Sequence, residues 1–295
     1  MGKDPDVSIS VPNYNTSDII GGTLKSIIET AGDLSVEVFV TNDCSPDGGL
    51  SKVRPAFEHD SRFRFIENEK NIALVSHNRL LKEAKGRYIL LLDSDAILHP
   101  GALQSLVSFL DSHSEAGAAT ARFYFPDGRI QRYYRRQLTP TLYFYTTVIG
   151  RFIDKYLLGL KYFKRYRYDD IGDPHAPIEL EQPSITCFML RKEAVGPYIV
   201  HPDMAFHYAD VGLCKRIYDH GYKVFLVPAA GVTHLKSTTF KKAYKRWLTP
   251  AHYRSLIAYM REAYPAYAPL VWVLTWFDRS LRAVLLATIR WEPFV

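Results

Sequence analysis

The sequence predicts an α/β fold in which a mostly parallel sheet is flanked by helices and followed by a helical tail. Through the first hundred residues, short β-branched runs alternate with stretches of helical periodicity. This alternation is typical of βαβ units, whose right-handed crossovers place successive strands in parallel. The chain of 295 residues, 47% of them hydrophobic, is long enough for one large domain with an appendage.

Strands and helices alternate regularly in the first part of the chain. The first helix begins after Thr16 and Ser17, either of which can cap its amino end, and we expect Gly86 to end the second helix. The run YILLL is wholly apolar, as a strand in the centre of a parallel sheet should be. We predict strands at residues 7–11, 36–41, 62–66 and 88–92, and helices at residues 17–30 and 73–84.

Beyond residue 100 the alternation continues but is interrupted by a stretch rich in arginine and tyrosine. This insert spans residues 129–170. We predict a helix at 101–111 and a strand at 118–125 before it, then a strand at 184–190, a helix at 209–220 and a strand at 223–227 after it. These elements give one domain over residues 1–240, with two halves that meet at residue 112.

The tail, residues 241–295, is helical in pattern, and its most apolar piece spans 268–289. Asp278, Arg279 and Arg282 interrupt this piece, whereas a transmembrane helix needs about 20 predominantly apolar residues. We therefore predict an amphipathic helix that lies in a membrane interface. A helix that packs on the domain's own core is an equally good interpretation.

The positive charge of the chain is concentrated in one region. Residues 129–168 hold ten lysines and arginines and a single acidic residue, Asp154, together with eleven aromatic residues. This region carries +9, whereas the whole chain carries +6, so the remainder sums to −3. The pattern indicates an anionic partner at one place, which could be single-stranded nucleic acid, an anionic membrane surface or an anionic acceptor.

The cysteines and the first residues of the chain indicate the cellular compartment of the protein. Cys44, Cys187 and Cys214 lie far apart and in no disulfide or zinc pattern, which favours a reducing compartment. The first residues lack the apolar run of a secretory signal. We expect a cytoplasmic protein.

Two carboxylates follow the most apolar predicted strand. Asp93, Ser94 and Asp95 come directly after YILLL, so they emerge at the carboxyl end of a buried strand, where open α/β sheets bind ligands. Two carboxylates at such a position can hold Mg²⁺ or Mn²⁺ together with a nucleotide diphosphate. A turn with capping aspartates is the alternative.

Two further strand ends carry polar residues. Asp43 opens the loop DCSPDG after the second strand and can accept a hydrogen bond from a base, although a plain turn would also explain it. Tyr14 follows the first strand and can stack on a base. Because the three strand ends converge, we predict a nucleotide-diphosphate site, without GxGxxG or P-loop character. Its predicted donor-binding residues are Pro12, Tyr14, Asn15, Asp43, Asn78, Asp93 and Ser94.

Asp210 and His234 are the candidate catalytic and metal residues of the second half. Asp210 lies in the first turn of a predicted helix, whose dipole would keep its pKa low and the group ionised, as a general base requires. An amino-terminal capping role is the alternative. His234 follows the strand predicted at 223–227 and can ligate a metal, although a lone histidine is more often structural.

Taken in order, these segments resemble the family 2 inverting glycosyltransferases of the GT-A fold. The resemblance covers residues 7–236 and rests on PNYN, DCSPDG, LLLDSD, EQPSITCFMLRKEAV and FHYADVGLCKRIYDHGYKVFLVPAAGVTH. The segment DGRIQ at 127–131 is similar to the DG-x-x-Q of bacterial rhamnosyltransferase-type enzymes, which assemble cell-surface polysaccharides. Each motif is loose, but their order and spacing are specific.

The resemblance implies a site and a reaction. Asp43 would contact the base, Asp93 and Asp95 would hold the metal and the donor diphosphate, His234 would complete the site, and Asp210 would be the catalytic base. The reaction would be a single displacement with inversion, from a UDP- or dTDP-linked sugar, with rhamnose as one candidate. The acceptor would be a glycan or a polyprenyl-diphosphate-linked glycan at the inner face of the cell membrane, rather than nucleic acid.

The sequence departs from the family pattern at several positions. The usual Glu-Asp-x-Asp is Ala209-Asp210-Val211-Gly212 here, the glycine of the Asn-x-Gly loop is Ala73, and residues 184–186 read Ser-Ile-Thr where small residues are usual. The missing carboxylates leave a non-catalytic sugar-nucleotide-binding partner as one alternative. A nucleotidyltransferase is the other, although it usually has a glycine-rich phosphate loop.

Overall fold

A computed structural model describes residues 4–235 and 250–288. The strands at residues 7–13, 36–42 and 88–92 are almost completely buried, whereas the strand at 63–67 is partly exposed. The strands are β1 (Val7–Asn13), β2 (Val36–Asn42), β3 (Phe63–Glu67), β4 (Tyr88–Leu92), β5 (Ala96–Leu98), β6 (Ala116–Tyr124), β7 (Ile130–Gln131), β8 (Tyr134–Arg135), β9 (Ile178–Glu179), β10 (Gln182–Pro183), β11 (Cys187–Arg191) and β12 (Lys223–His234).

The helices differ in length, and the insert contains only short ones. Short 3₁₀ segments lie at Ala73–Arg79, Lys192–Ala194 and Pro202–Met204, and a π-helical turn spans Asp154–Leu158. The α-helices are α1 (Ile20–Ala31), α2 (Arg54–Phe57), α3 (Leu80–Glu83), α4 (Ala102–Ser112), α5 (Pro140–Phe144), α6 (Val148–Ile153), α7 (Tyr162–Tyr166), α8 (Ala209–Asp219), α9 (Pro250–Ala263) and α10 (Ala268–Thr288).

The main sheet has the order β3-β2-β1-β4-β11-β6-β12-β5. Strands β3, β2, β1 and β4 are parallel, β11 runs antiparallel between β4 and β6, and β12 is parallel to β6. This arrangement confirms the predicted α/β class with a mostly parallel sheet. Because β1, β2 and β4 point the same way, the loops that follow them share one edge of the sheet.

Some predicted elements differ in the structure. The helix predicted at 73–84 is a 3₁₀ segment that continues into α3, and α3 ends before Ala84. Gly86 is therefore not its cap. A Cβ atom at Gly86 would lie 2.4 Å from the main-chain nitrogen of Ser8, so this glycine is required by the close approach of β1. Strand β12 extends beyond the predicted end at residue 227 and reaches His234.

Apolar residues form a core on each face of the sheet. Helices α1 and α4 cover one face, with Leu24 and Leu106 packed in the same cluster as Ile9 of β1. Helix α8 covers the other face, with Leu213 packed in the same cluster as Leu91 of β4. The helices therefore bury both faces of the strands, which explains why β4 is apolar at every position.

The tail helices share a third apolar cluster with the insert and α8. Leu256 and Met260 of α9 and Val271 of α10 are buried in this cluster together with Tyr143 and Val211. The inner sides of α9 and α10 therefore pack on the domain itself, which was one of the two interpretations of the tail sequence. The parts of the predicted tail at 241–249 and 289–295 lie outside the described residues. Within the described ranges, no helix is both long and apolar enough to cross a bilayer.

Candidate active site

Three acidic or imidazole side chains meet at the carboxyl end of β4. The three residues are Asp93, Asp95 and His234. Each offers one potential ligand atom, a carboxylate oxygen or a ring nitrogen, and these three atoms lie within 4.8 Å of one another. His234 Nε2 lies 3.4 Å from Asp95 Oδ1. Antiparallel pairing of β12 with β5 causes this meeting, since His234 pairs with Ala96, the residue after Asp95.

Gln131 holds the His234 ring in place. Its Nε2 donates to the His234 carbonyl oxygen at 3.2 Å, and its Oε1 lies 3.2 Å from His234 Nδ1. Because Oε1 can only accept, this pairing favours the tautomer with the proton on Nδ1. Nε2 then presents its lone pair on the side of Asp95, as a metal ligand would.

Asp93 is fixed by Thr186, which lies on the segment before β11. Thr186 Oγ1 donates to Asp93 Oδ2 at 2.7 Å, and the Asp93 amide donates to the Thr186 carbonyl oxygen at 2.9 Å. Burial raises the pKa of Asp93, and the neighbouring charge of Asp95 raises it further. A bound cation would offset both effects, so this pair of carboxylates with an imidazole fits a divalent ion such as Mg²⁺ or Mn²⁺.

Ser94, between the two aspartates, points into the protein and ties them to α1. Its hydroxyl accepts a hydrogen bond from Thr16 Oγ1 at 2.8 Å, and its carbonyl oxygen accepts one from Thr23 Oγ1 at 2.8 Å. Both threonines are buried. Ser94 therefore positions the loop, and its contact with a donor stays a prediction.

Asp43 is buried at the end of β2 and organises the loop at 68–73. Its Oδ1 accepts from Asn68 Nδ2 at 3.1 Å and from the Ile72 amide at 2.8 Å, and its Oδ2 accepts from the Ala73 amide. Ala73 has a φ of 50°, in the left-handed region where glycine is favoured. The predicted contact of Asp43 with a base stays a prediction, which would use the remaining acceptor capacity of Oδ2.

The loop after β1 lies beside Asp43. Tyr14 is 46% exposed, so its ring is accessible for stacking. Asn15 has a φ of 57°, and its amide donates to Ser45 Oγ at 3.1 Å, which joins this loop to the DCSPDG loop. Pro12 lies within β1, opposite Thr41. The structure thus brings the predicted residues of the first two strand ends together.

The Asn78 side chain is bonded to the loop at residues 199–200. Its Oδ1 accepts from the amides of Ile199 and Val200, each at 2.8 Å, and its Nδ2 donates to the Val200 carbonyl oxygen at 2.8 Å. The side chain therefore fixes a distant loop to the 3₁₀ segment. The contact of Asn78 with a donor stays a prediction.

Asp210 lies in the first turn of α8, as predicted, but its electrostatics differ from the expectation. Burial raises its pKa, and this effect outweighs hydrogen bonds from the Val211 amide and the Gln182 side chain and the attraction of Arg135. The prediction that the helix dipole would keep the pKa low was therefore wrong, because α8 begins in a packed and aromatic part of the molecule. Tyr166 is one of its neighbours there.

A single short segment, residues 182–186, connects Asp210 with Asp93. Gln182 bonds to Asp210, and Thr186, four residues later, bonds to Asp93. Four residues span at most about 14 Å, so the two carboxylates lie at the same side of the molecule.

The comparisons with known proteins agree with this geometry. Residues 8–195 match the model of glycosyl transferase family 2. The chain belongs to this family. The predicted rhamnosyltransferase-type subgroup is a finer assignment that the comparisons do not reach.

Similar proteins of known families carry names that refer to the synthesis of cell-surface polymers. A putative teichuronic acid biosynthesis glycosyltransferase, TuaG of Bacillus subtilis, is 32% identical over 117 residues, which are 39% of this chain and 46% of TuaG. The poly(ribitol-phosphate) β-N-acetylglucosaminyltransferase TarP of Staphylococcus aureus is 30% identical over 105 residues, 35% of this chain and 32% of TarP. The matches cover less than half the length of these relatives.

Solved structures of low identity share the fold. The S. aureus TarS fragment 1–349 superimposes with a TM-score of 0.53 at 17% identity, over 90% of this chain and 69% of that one. GalNAc-T7, solved with UDP, GalNAc and Mn²⁺, gives a TM-score of 0.58 at 14% identity, over 79% of this chain and 43% of that one. These likenesses confirm the GT-A-like fold.

Positions where this family 2 chain departs from the usual base motif are explained by packing. Ala209 is 3% exposed and belongs to the apolar core beneath the sheet. A Cβ atom at Gly212 would lie 2.9 Å from Met204 Sδ, so a larger side chain there would have to displace Met204. A carboxylate at Ala209 would lie in this apolar core, and one at Gly212 would have to displace Met204, so Asp210 is left as the acid of this motif.

Proposed function

We propose that this chain transfers a sugar from a nucleoside-diphosphate sugar to an acceptor hydroxyl, with inversion and with a divalent metal. The observation that carries the proposal is the meeting of Asp93, Asp95 and His234 beside the parallel strand ends. Asp93, Asp95 and His234 would hold Mg²⁺ or Mn²⁺, which would neutralise the charge that develops on the departing diphosphate. Membership of family 2 favours this reaction over nucleotidyl transfer.

The loops after β1 and β2 would bind the nucleoside. Tyr14 would stack on the base, Asp43 Oδ2 would accept a base N–H, and Pro12 and Asn15 would line the ring. Asp43 is held by bonds from the chain on both oxygens, so its position is fixed before a ligand arrives. A fixed acceptor loses little conformational entropy on binding.

Asp210 would act as the general base. Its carboxylate takes the proton of the acceptor hydroxyl while the hydroxyl oxygen forms a bond to the anomeric carbon. The bond from that carbon to the diphosphate oxygen breaks on the opposite side, and its electron pair leaves with the diphosphate. A raised pKa makes Asp210 a stronger proton acceptor, provided that the pH keeps it ionised.

The donor and acceptor are finer parts of the proposal. UDP- or dTDP-linked sugars, with rhamnose as a candidate, are the donors that we propose. A UDP complex of TarS has the same fold, which supports a nucleotide-sugar donor. The relatives named for teichuronic acid and poly(ribitol-phosphate) support a glycan acceptor, free or attached to a polyprenyl diphosphate, at the inner face of the cell membrane.

The altered base motif motivates a second candidate, a sugar-nucleotide-binding partner without catalysis. Both candidates require the metal site, so they differ only in turnover. A thermal-shift screen of nucleotide sugars with Mn²⁺ would identify the donor, and release of free nucleoside diphosphate from that donor with a glycan acceptor would separate the candidates.

The variant Asp95→Ala tests the metal site. We expect it to abolish binding of UDP in the presence of Mn²⁺, measured by calorimetry, because a ligand that joins β4 to His234 is lost. Asp33→Ala, which removes an exposed aspartate after α1, is the matched control and should bind as the unmodified chain does. Unchanged binding by Asp95→Ala would overturn the assignment of the metal site.

A further inference from the structure

Two of the three charged residues of helix α10, Asp278 and Arg282, bond to the protein, whereas Arg279 is exposed. Asp278 Oδ1 accepts from the Val148 amide at the start of α6 at 2.8 Å, and Arg282 donates to Asp278 Oδ2 at 2.7 Å and to the Thr146 carbonyl oxygen at 3.1 Å. Thr275 lies on the same side, within 2.9 Å of the Tyr143 hydroxyl. Asp278, Arg282 and Thr275 thus attach α10 to α5, to α6 and to the residues between these two helices.

The opposite side of α10 is apolar and exposed. Residues three, four or seven positions apart share one side of a helix, and the side away from the protein presents large apolar groups. They are 45–66% exposed: Leu270, Trp272, Val273, Trp276, Phe277 and Val284. An ordinary surface helix presents charged and polar residues on its outer side, whereas the outer side of α10 is mostly apolar.

The neighbouring part of the insert has the same character. From α6 through the π-helical turn and the residues after it, large apolar side chains are 44–71% exposed: Ile149, Phe152, Tyr156, Leu157, Leu158 and Leu160. The bond of Asp278 to Val148 places this segment beside α10. We call these exposed residues of the two segments, together, the apolar face. A contiguous exposed patch of this kind marks an interaction site.

Basic residues accompany the apolar face. Arg254, Arg261 and Arg279 line a pocket of about 300 Å³ between α9 and α10, together with Trp272 and Trp276. Among the described residues, none of the three arginines forms an ion pair. Lys155 and Lys161 are exposed on the insert side.

Acidic residues of these segments face inward. Asp154 is buried and accepts from the Tyr162 amide, Glu262 pairs with Arg216, and Asp278 pairs with Arg282. Asp203, which also lines the arginine pocket, is the acidic residue that remains near the surface there. The outward side of α6, α9 and α10 is therefore apolar and basic.

We infer that the apolar face docks on an anionic bilayer, with the arginine pocket at the level of the lipid phosphates. Apolar and aromatic side chains would enter the headgroup boundary, where tryptophan and tyrosine are favoured, and the arginines would bind phosphate oxygens. A second copy of the chain is a poorer occupant, because a two-fold contact would bring the arginine pockets of both copies close together. This docking does not depend on the proposed transfer reaction.

Co-sedimentation of the full chain with vesicles tests the inference. We expect binding to vesicles of phosphatidylcholine mixed with phosphatidylglycerol, little binding to phosphatidylcholine alone, and weaker binding as salt is raised. Arg279→Glu should weaken binding to the anionic vesicles by about fivefold or more. Lys25→Glu, the same charge change on α1, is the matched control and should leave binding to the anionic vesicles unchanged.

A second variant tests the apolar contribution across both segments. Phe152→Ser combined with Trp276→Ser should weaken vesicle binding by about tenfold or more, with an unchanged melting temperature because both side chains are exposed. The inference is overturned if the chain binds neither vesicle, or if all variants bind equally. It is also overturned if light scattering shows a dimer that the double variant dissociates while vesicles are not bound.

Discussion

Thr186 and Asp93 are joined by two hydrogen bonds, one from the threonine hydroxyl to the carboxylate and one from the aspartate amide to the threonine carbonyl oxygen. The threonine hydroxyl also lies 3.0 Å from Ser184 Oγ. This arrangement fixes the direction of the Asp93 carboxylate before any cation binds. Mutation of a residue that orients a metal ligand commonly weakens metal binding by about ten- to a hundredfold.

We therefore expect Thr186→Val to weaken Mn²⁺ binding by about ten- to a hundredfold, because the carboxylate loses its orienting donor. Calorimetric titration with Mn²⁺ measures the affinity, and Thr186→Ser, which keeps the hydroxyl, should retain most of the affinity of the unmodified chain. Thr120→Val is the matched control, since it removes a buried threonine hydroxyl that bonds to Cys187 on the neighbouring strand. Wild-type affinity in Thr186→Val would contradict the positioning role of Thr186.

The pH dependence of transfer should follow Asp210. A general base must be ionised, and burial raises the pKa of Asp210 above the ordinary 3.8, so the rate should fall as pH drops through this raised value. Gln182→Leu removes a hydrogen bond to the carboxylate and should move the acidic limb of kcat/KM to higher pH. Asp210→Asn should bind the donor but lose about a hundredfold or more of the rate.

If the acidic limb of the pH profile of kcat/KM does not move in Gln182→Leu, a different group controls that limb. Retained transfer in Asp210→Asn would remove Asp210 as the base. Binding of the donor should be measured in both variants, since it separates a catalytic defect from a damaged site.

The strand-end residues could be predicted from the sequence because each follows a predicted strand. Asp43 and Asp93 sit at the point where a buried strand ends, and parallel strands bring such ends together. The helix dipole at Asp210 was visible in the sequence, but the burial that outweighs it arises from distant aromatic residues such as Tyr166. Local pattern therefore gave the position of Asp210 and not its pKa.

Thr186 and Gln131 were missed as site residues for a related reason. Thr186 is 93 positions from Asp93, and Gln131 is 103 positions from His234, so no local periodicity links them. Gln131 belongs to the DGRIQ segment, and the resemblance of this segment to the DG-x-x-Q motif was the one feature of the sequence that pointed to Gln131. Beyond residue 227, β12 pairs with β6 as far as Thr233 and with β5 as far as His234, and β5 has only three residues, too few to recognise in a sequence.

Stability at acid pH should depend on His77. This side chain is buried, with Nδ1 2.8 Å from Ser10 Oγ, and burial lowers its pKa from 6.5 to about 4. Between these values the unfolded chain holds a proton that the folded chain lacks, so the contribution is complete above 6.5 and is lost as pH falls toward 4. The loss at pH 5 should be about 2 kcal/mol.

Urea unfolding at pH 7 and pH 5 measures this loss. His77→Asn keeps a polar partner for Ser10 but does not titrate, so its free energy of unfolding should change less between the two pH values than that of the unmodified chain. Equal changes in the two proteins would show that His77 is not the residue responsible.

Gly86 should tolerate no side chain, although it is not a helix cap. A Cβ atom there would lie 2.4 Å from the Ser8 amide nitrogen and 2.8 Å from the Val7 carbonyl carbon, both main-chain atoms of the central strand β1. Since β1 cannot move away without breaking its pairing with β2 and β4, we expect Gly86→Ala to lower the free energy of unfolding by about 1–3 kcal/mol. Gly172→Ala is the matched control, because a Cβ atom at Gly172 meets nothing within 4 Å. A Gly86→Ala variant as stable as Gly172→Ala in urea unfolding would show that β1 has more room than this packing allows.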